Sequence, residues 1–404
     1  MRNDDEGAAT TSADLRAHNL ARLLRAVHDG GGQHTRAELT RQLGLARGTA
    51  TVLVRELAGR RLITELAPAD PPSAQRARGR PTGIPSANKK GPVALAVDLR
   101  DDSFTTAVFE LTGRGTVLDS QERGARDGGQ FLSQVAASLR KYRRALDGRV
   151  VGIGVAVPSP VSAGRMVQPT LDDWQDVDVA EALSLPGTEV SVGNDATLAG
   201  LAEARRGVLR GVRVALHLHA ATGIGGVLLT AGQPATGALG SAGEFGHMPL
   251  AGGDAPCQCG AVGCWELYAG ARGLLREAGL PGEQGDRMAI AASVIGSDER
   301  ALARVAAALG RGIGALVNAH DPAAVSLSGL AAAVLTAAPE QVNAAYLTAL
   351  MRFRRPAPPP LLPSALGDLG PLTGAAELVF DGFLTARGLT TWPAPAPLPG
   401  QLRD

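Results

Sequence analysis

Apolar positions in the first sixty residues recur at helical spacing. From Asn19 to Val27, Leu20, Leu23, Leu24 and Val27 mark one face of a helix that Gly30-Gly31-Gly32 ends. Thr35, with Glu38 three residues on, has the pattern of a capping box and predicts a second helix through Leu39 and Leu43 to a break at Gly44. A third helix is predicted from about Arg47 to Gly59, with Ala50, Leu53 or Val54, and Leu57 on one side. Leu62 to Leu66 reads as extended and leads into a Pro/Ala/Arg-rich segment, Pro68 to Pro85. Residues 1 to about 14, small, polar and acidic, read as a disordered leader.

At Val93 the texture changes. Buried-strand runs, Val93-Ala94-Leu95-Ala96-Val97 and Val150 to Val157, alternate with Ala- and Leu-rich helices, which is an α/β pattern. Gly-rich turns after strands suit a ligand cleft. Arg355 to Pro363 is proline-dense and reads as a second linker, and residues 391–404 read as a flexible tail. No sequence repeat is evident. The division is a leader (1–14), a helical head (15–90), an α/β domain (91–390) and a tail (391–404).

A chain of 404 residues suggests two or three domains. With 45% apolar and 20% charged residues it supports a sizeable core and excludes global disorder. The whole-chain balance of 40 basic to 39 acidic groups argues against nucleic-acid binding, but it hides an asymmetry. Residues 15–90 carry 14 Lys/Arg against 5 Asp/Glu, a net +9, leaving −8 for the rest. At 3% aromatic, the chain is poorly equipped for base stacking, which counts against single-strand and RNA binding. No apolar run is long enough for a membrane span, and Met1-Arg2-Asn3-Asp4-Asp5-Glu6 is unlike a signal peptide; the expectation is a cytoplasmic protein with no membrane partner.

Two short helices, a tight Gly turn and a basic partner helix are the elements of a helix-turn-helix. If Leu39, Leu43, Leu45, Ala50 and Leu57 pack together, the third helix offers Arg47, Gly48, Thr49, Thr51 and Arg55 on its other face. Arg can fork onto guanine, Thr can contact phosphate or a thymine methyl, and Gly permits close approach. A small bundle with a solvated charged face is the plain alternative, but the charge excess coincides with the motif. Arg78-Gly79-Arg80-Pro81 looks like an AT-hook, whose Arg78 and Arg80 side chains would enter a narrow minor groove; the alternative is a solvated linker.

The three cysteines, Cys257, Cys259 and Cys264, are too tightly spaced for a disulfide framework. With His247 they form a complete Cys₃His set with no open position, the pattern of a structural zinc site. Gly260 and Gly263 allow the turns that aim three sulfurs at one ion. Buried free thiols beside an incidental histidine are the alternative.

The run from Glu244-Phe245-Gly246-His247 to Cys257-Gln258-Cys259-Gly260-Ala261-Val262-Gly263-Cys264-Trp265-Glu266 resembles, position by position, the hallmark of the ROK family of repressors, open reading frames and sugar kinases. The resemblance covers about residues 15–390. It implies an actin-like, two-lobed, ribonuclease-H-like domain with a sugar cleft between the lobes. Members with an N-terminal winged helix-turn-helix and a Gly-Arg-Pro wing or linker are transcriptional regulators of the xylose- and N-acetylglucosamine-repressor type; members without it are sugar kinases. The resemblance assigns Asn194, Asp195, Glu244, His247 and Glu266 to sugar hydroxyls, with His247 bonding zinc through one ring nitrogen and the ligand through the other. Carboxylates and an amide suit the dense hydroxyls of a hexose, and a metal fixes the imidazole. Taken alone, Asp195 is equally a helix N-cap.

The phosphate side departs from the family's kinases. One glycine loop survives as Ala221-Thr222-Gly223-Ile224-Gly225-Gly226, but the family's Asp-x-Gly-Gly-Thr reads Asp98-Leu99-Arg100-Asp101-Asp102. Carboxylates there repel a triphosphate and bulkier residues close its approach. The adenosine-side Gly-Gly is Ser328-Gly329, the usual Pro-Gly-Pro is Pro158-Ser159-Pro160, and a typical Asn is Thr170, before Leu171 and Trp174. The reading is a sugar-responsive repressor of carbohydrate metabolism genes that is not an enzyme. It binds a two-fold operator as a homodimer or homotetramer. A ROK-type sugar kinase with an added head, and a ligand-independent DNA-binding protein with a vestigial cleft, are the alternatives.

Overall fold

The computed structural model describes residues 11–67, 83–124, 127–162, 164–167, 177–250, 253–280 and 287–392. Arg78, Arg80, the stretch from Thr170 to Trp174 and the tail beyond Trp392 lie outside them.

Three helices come first: α1 (Ser12–Asp29), α2 (Arg36–Gln42) and α3 (Arg47–Gly59). α1 reaches into the stretch read as leader, because the Thr11 hydroxyl caps it by accepting from the Asp14 amide. Thr35 and Glu38 complete both halves of the capping box on α2. Leu23, Leu24, Leu39, Leu53, Val54 and Leu57 interlock beneath the three helices. β1 (Ile63–Leu66) and β2 (Ile84–Ala87) then pair antiparallel as a two-stranded sheet.

Two lobes of the same plan follow. In the first, β3 (Val93–Leu99), β4 (Ser103–Glu110) and β5 (Gly115–Glu122) are antiparallel neighbours. The crossover helix α4 (Gly128–Ala145) leads to β6 (Val150–Val157), which joins β3 in parallel. The small hairpin β7 (Val161–Ser162) and β8 (Arg165–Met166) and the single turn α5 (Val179–Ala182) precede β9 (Val190–Asn194), parallel to β6, and α6 (Asp195–Arg206). The sheet order is β5-β4-β3-β6-β9.

The second lobe repeats this arrangement. β10 (Val214–Ala220), β11 (Ile224–Thr230) and β12 (Gln233–Pro234) are antiparallel, and β13 (Ala324–Gly329) and β14 (Leu361–Pro363) join in parallel, in the order β12-β11-β10-β13-β14. Its core draws on α7 (Ala271–Glu277), α8 (Arg287–Ser297), α9 (Glu299–His320), α10 (Leu330–Ala337) and α11 (Pro339–Ala349). The last helix, α12 (Gly370–Phe383), crosses back to the first lobe. It packs at backbone contact: a Cβ on Gly374 would stand 2.0 Å from the Leu198 carbonyl of α6, and one on Gly154 of β6 2.1 Å from that of Ala375.

Two expectations fail here. The proline-dense Arg355–Pro363 stretch is not a linker; it ends in β14, an edge strand, where a missing N–H costs no ladder bond. Pro359 and Pro360 instead supply carbonyls to the Tyr346 hydroxyl and the Val325 amide, both at 3.0 Å. Trp392, assigned to the tail, is buried against Phe383 and donates from Nε1 to the Arg60 carbonyl at 2.8 Å. The head therefore shares one apolar core with the first lobe, in which Leu24, Leu57 and Leu62 belong with Phe109, Phe380 and Trp392.

Candidate ligand cleft, metal cluster and DNA-facing helix

The parallel strands β6 and β9 end side by side, Val157 opposite Asn194. Ligands of open α/β sheets bind beyond such carboxyl ends. Asn194, not Asp195, caps α6: its Oδ1 accepts from the Thr197 amide at 2.9 Å. Its Nδ2 donates to the Ser159 carbonyl at 3.3 Å and to Asp195 Oδ1 at 3.1 Å, so both ends of the amide are engaged within the protein. Asp195 Oδ1 also accepts from the Ala196 amide at 2.7 Å.

Burial raises the Asp195 carboxyl to about 6, against the pull of the Ala196 amide and Arg100, and the Asp101 charge adds to the rise. Glu244 is raised to about 7 by burial, then by the charges of Asp195 and Glu266. Carboxyls from the two lobes thus share one electrostatic site. Glu266 is buried and accepts from Arg272 Nη1 at 3.0 Å, with the Cys257 thiol 3.5 Å from the same oxygen. The glycine loop closes on this group. A Cβ on Gly223 would lie 2.6 Å from Glu266 Oε2, and one on Gly225 2.6 Å from the Ala196 Cβ at the start of α6.

His247, Cys257, Cys259 and Cys264 converge, with one ligand atom from each lying within 4.8 Å of the others. His247 Nδ1 faces the thiols, 3.6 Å from Cys257 Sγ, while Nε2 lies on the side of Glu244 at 3.9 Å. Gly263 has φ +74°, and a Cβ there would strike the Gly253 carbonyl at 2.5 Å, so the last turn admits only glycine. Trp265, fully buried, ties the loop to α9 through a 2.9 Å bond from Nε1 to the Ala308 carbonyl. Burial, then the Cys259 and Cys257 thiols, push Cys264 up to about 12, whereas the Ala261 amide and the Cys257 and Cys264 thiols hold Cys259 down against its own burial. Sulfurs this close resist joint ionisation without a cation among them, and the donor set fits one tetrahedral metal.

On the phosphate side the structure adds an ion pair. Arg100 turns back so that Nε donates to Asp98 Oδ2 at 2.9 Å, and Asp98 is buried at the end of β3. Burial raises the Asp98 carboxyl, opposed chiefly by Arg100. Neither Arg100 as a counter-ion nor the neighbouring histidine–serine ladder was foreseen. His217 and His219 on β10 stand opposite Ser326 and Ser328 on β13, with Nδ1 to Oγ distances of 2.7 and 2.8 Å. Burial lowers His217 to about 3 and His219 to about 4, so both rings are neutral. The alternation His217-Leu218-His219 was a visible signal, but its partners needed the strand register.

On α3, Ala50, Leu53, Val54 and Leu57 are buried while Arg47, Gly48, Thr49 and Arg55 are exposed; Thr51 is half-buried and donates to the Arg47 carbonyl at 2.9 Å. Val52 adds an exposed apolar side chain to this face. Ala46 gives the helix no side-chain cap.

Two lobes of duplicated plan, a cleft of facing carboxyls and a Cys₃His loop define the actin-like class of sugar-kinase and regulator folds. The chain belongs to the ROK family, whose model matches residues 94–381. It is 24% identical to the xylose repressor of Bacillus subtilis (strain 168) over 365 residues, 87% of this chain and 92% of that one. It is 31% identical to the kanosamine kinase of Amycolatopsis mediterranei (strain S699) over 264 residues, 61% of this chain and 82% of that one. Among solved structures, a ROK family transcriptional regulator, a homolog of the E. coli MLC protein, superposes with TM-score 0.70 at 21% identity, covering 94% of this chain and 99% of that one. A ROK family glucokinase from Streptomyces griseus superposes with TM-score 0.61 at 23% identity over 72% of this chain and all of the other.

Proposed function

We propose that this protein is a sugar-responsive, DNA-binding transcriptional regulator of carbohydrate metabolism genes, acting as a repressor. The observation that carries the reading is the division of α3, whose apolar side docks on the core while Arg47, Gly48, Thr49 and Arg55 face outward. Similarity to a repressor over 87% of the chain supports it. In this reading Arg47, Thr49, Thr51 and Arg55 meet the major groove, and Arg78 and Arg80, carried between β1 and β2, reach the minor groove. A two-fold operator is bound by a homodimer or homotetramer in the cytoplasm. Among the described residues no helix is long and apolar enough to cross a membrane.

Asp195, Glu244, His247 and Glu266 contact sugar hydroxyls, and Asn194 holds Asp195 in place. His247, Cys257, Cys259 and Cys264 bind one structural zinc, which fixes His247 Nδ1 and leaves Nε2 for the ligand. The kinase reading keeps one supporting observation, the 31% identity to a kanosamine kinase, with Asp195 still at the head of α6. Against it stands Arg100, which fills the phosphate turn with its own ion pair to Asp98. Titrating operator binding with xylose, glucose and glucosamine, and assaying the same sugars with ATP, tests both readings. A sugar-dependent change in operator affinity supports the regulator; phosphorylation supports the kinase.

A further inference from the structure

One helix runs from the cleft to the DNA head. α6 begins at Asp195 and ends at Arg206, and its 12 residues span about 17 Å. At the far end, Arg205 Nη1 and Arg206 Nε donate to the Glu377 carboxylate of α12 at 2.9 and 2.8 Å. Glu377 is only 1% exposed, and its Oε2 lies 3.0 Å from Nε2 of His28, a fully buried residue of α1. Arg206 also reaches α1 directly, donating to the His28 carbonyl at 2.7 Å. Beside this node, Arg25 of α1 and Arg205 of α6 both pair with Asp381 of α12, at 2.6 and 2.7 Å. Three helices that belong to the head, the cleft and the returning chain are therefore tied at one buried carboxylate.

Docking alone does not require this node. The head already shares an apolar core with α12 through Leu24, Leu57, Phe380 and Phe383, and buried ion pairs add little net stability over such packing. What directional bonds add is a defined arrangement, because a buried network has few alternative ways of being satisfied. Burial opposes ionisation of Glu377, but His28, Arg206 and Arg205 outweigh it and hold the carboxyl far below its usual range. The network favours the charged form of this carboxyl.

We propose that Glu377 is the positioning residue that couples the cleft to the DNA head. A ligand that bonds Asp195 moves α6, and Glu377 transmits that movement from Arg205 and Arg206 to His28, re-aiming α1 and with it α3. The backbone contact of Gly374 on Leu198 makes α6 and α12 move together. This rests on the regulator reading.

The test uses the full-length protein and measures operator affinity with and without the most effective of xylose, glucose and glucosamine, for wild type, Glu377→Gln, Glu377→Asp and His28→Gln. Because coupling is reciprocal, sugar affinity with and without operator must change by the same factor. The expected result is that this factor falls to within about twofold of unity in Glu377→Gln and His28→Gln and is partly retained in Glu377→Asp, while sugar affinity of the DNA-free protein stays at the wild-type value. His28→Gln removes the imidazole contact of α1 with Glu377 and leaves the Arg206 bond to the residue-28 carbonyl in place, so the test survives if Glu377→Gln does not fold. A lowered Tm with an unchanged factor means a purely structural role and overturns the inference. Hydrogen exchange supplies an arm free of sugar and DNA: Glu377→Gln should speed exchange in 12–29 and 195–206 together, and a change confined to α12 also overturns it. A wild type that binds operator but is indifferent to all three sugars refutes the sugar-responsive reading itself, and the coupling role with it.

Discussion

Arg100 Nε sits 2.9 Å from Asp98 Oδ2, where the chain turns from β3 into β4. The chain thus carries its own cation at the residues that the family resemblance matches to a Gly-Gly-Thr turn of the kinases. Asp98 feels Asp195 as well as Arg100, so a nucleotide entering here would have to displace Arg100 from the buried Asp98 carboxylate in a field already negative. The expected outcome of a coupled ATP assay over a hexose panel is no turnover above background. Rates on the order of 1–100 per second, ordinary for kinases, would reverse the assignment.

Metal analysis of the purified, folded protein should return one zinc per chain. Cys259→Ser should lower the zinc content and destabilise the second lobe, because Trp265 anchors the metal loop to α9. Operator binding in the absence of sugar should be affected less than sugar binding. A folded wild type with no bound metal after preparation without chelators would refute the zinc assignment.

The local features of this protein were legible and the long-range ones were not. The capping box at Thr35, the bounds of α3 and the Cys₃His cluster follow from spacings of a few residues, where side-chain chemistry acts on its own neighbourhood. The duplication of the two sheets left no sequence repeat, because topology constrains the alternation of apolar residues rather than their identity. Proline density read as a linker at Arg355–Pro363, but an edge strand tolerates it. His28 and Glu377 are 349 positions apart, and no pattern along the chain could pair them. Asn194 and Asp195 were visible as a motif, yet which of them caps α6 depended on the end of β9.

Stability should respond to pH through Asp195. Its carboxyl is raised in the folded state from 3.8 to about 6, so the folded protein favours the protonated form. Stability therefore falls as pH rises from about 4 through 6, and the full penalty applies above that range. Asp195→Asn preserves the acceptor for the Ala196 amide and removes the charge. It should stabilise the sugar-free protein at pH 7.5 by about 1–2 kcal/mol, a value reduced from the full shift because Asp195 is only half-buried, and by much less at pH 4. Denaturant melts at the two pH values check this; an equal effect at both would rule out the ionisation.

Duplex binding should be specific and salt-sensitive. Arg47→Ala should cost about 1–3 kcal/mol on the operator and much less on random DNA, because a base contact carries discrimination that a phosphate contact does not. Arg80→Ala should matter most where the operator flank is A/T-rich. A salt series in which operator and random DNA bind wild type equally would remove the basis for both.

The sensor itself should be separable from DNA binding. Asp195 heads α6 on the first lobe, and Glu244 and Glu266 come from the metal-supported side of the second, so a hexose or amino sugar bonded to all three draws the lobes together. In the proposed reading Asp195 would accept a hydrogen bond from a ring hydroxyl instead of activating it, with Arg100 paired to Asp98 nearby. Each charge-assisted bond contributes about 1.5–3 kcal/mol, so Asp195→Ala or Glu244→Ala should weaken sugar binding at least about tenfold. Neither residue lies on the face of α3, and sugar-free operator affinity should stay at the wild-type value in both variants. What they should lose is the shift in operator affinity on adding sugar. Variants that respond as the wild type does would place the sensor outside this cleft, and a wild type that ignores sugars while binding operator tightly would make the cleft a relic of the kinase fold.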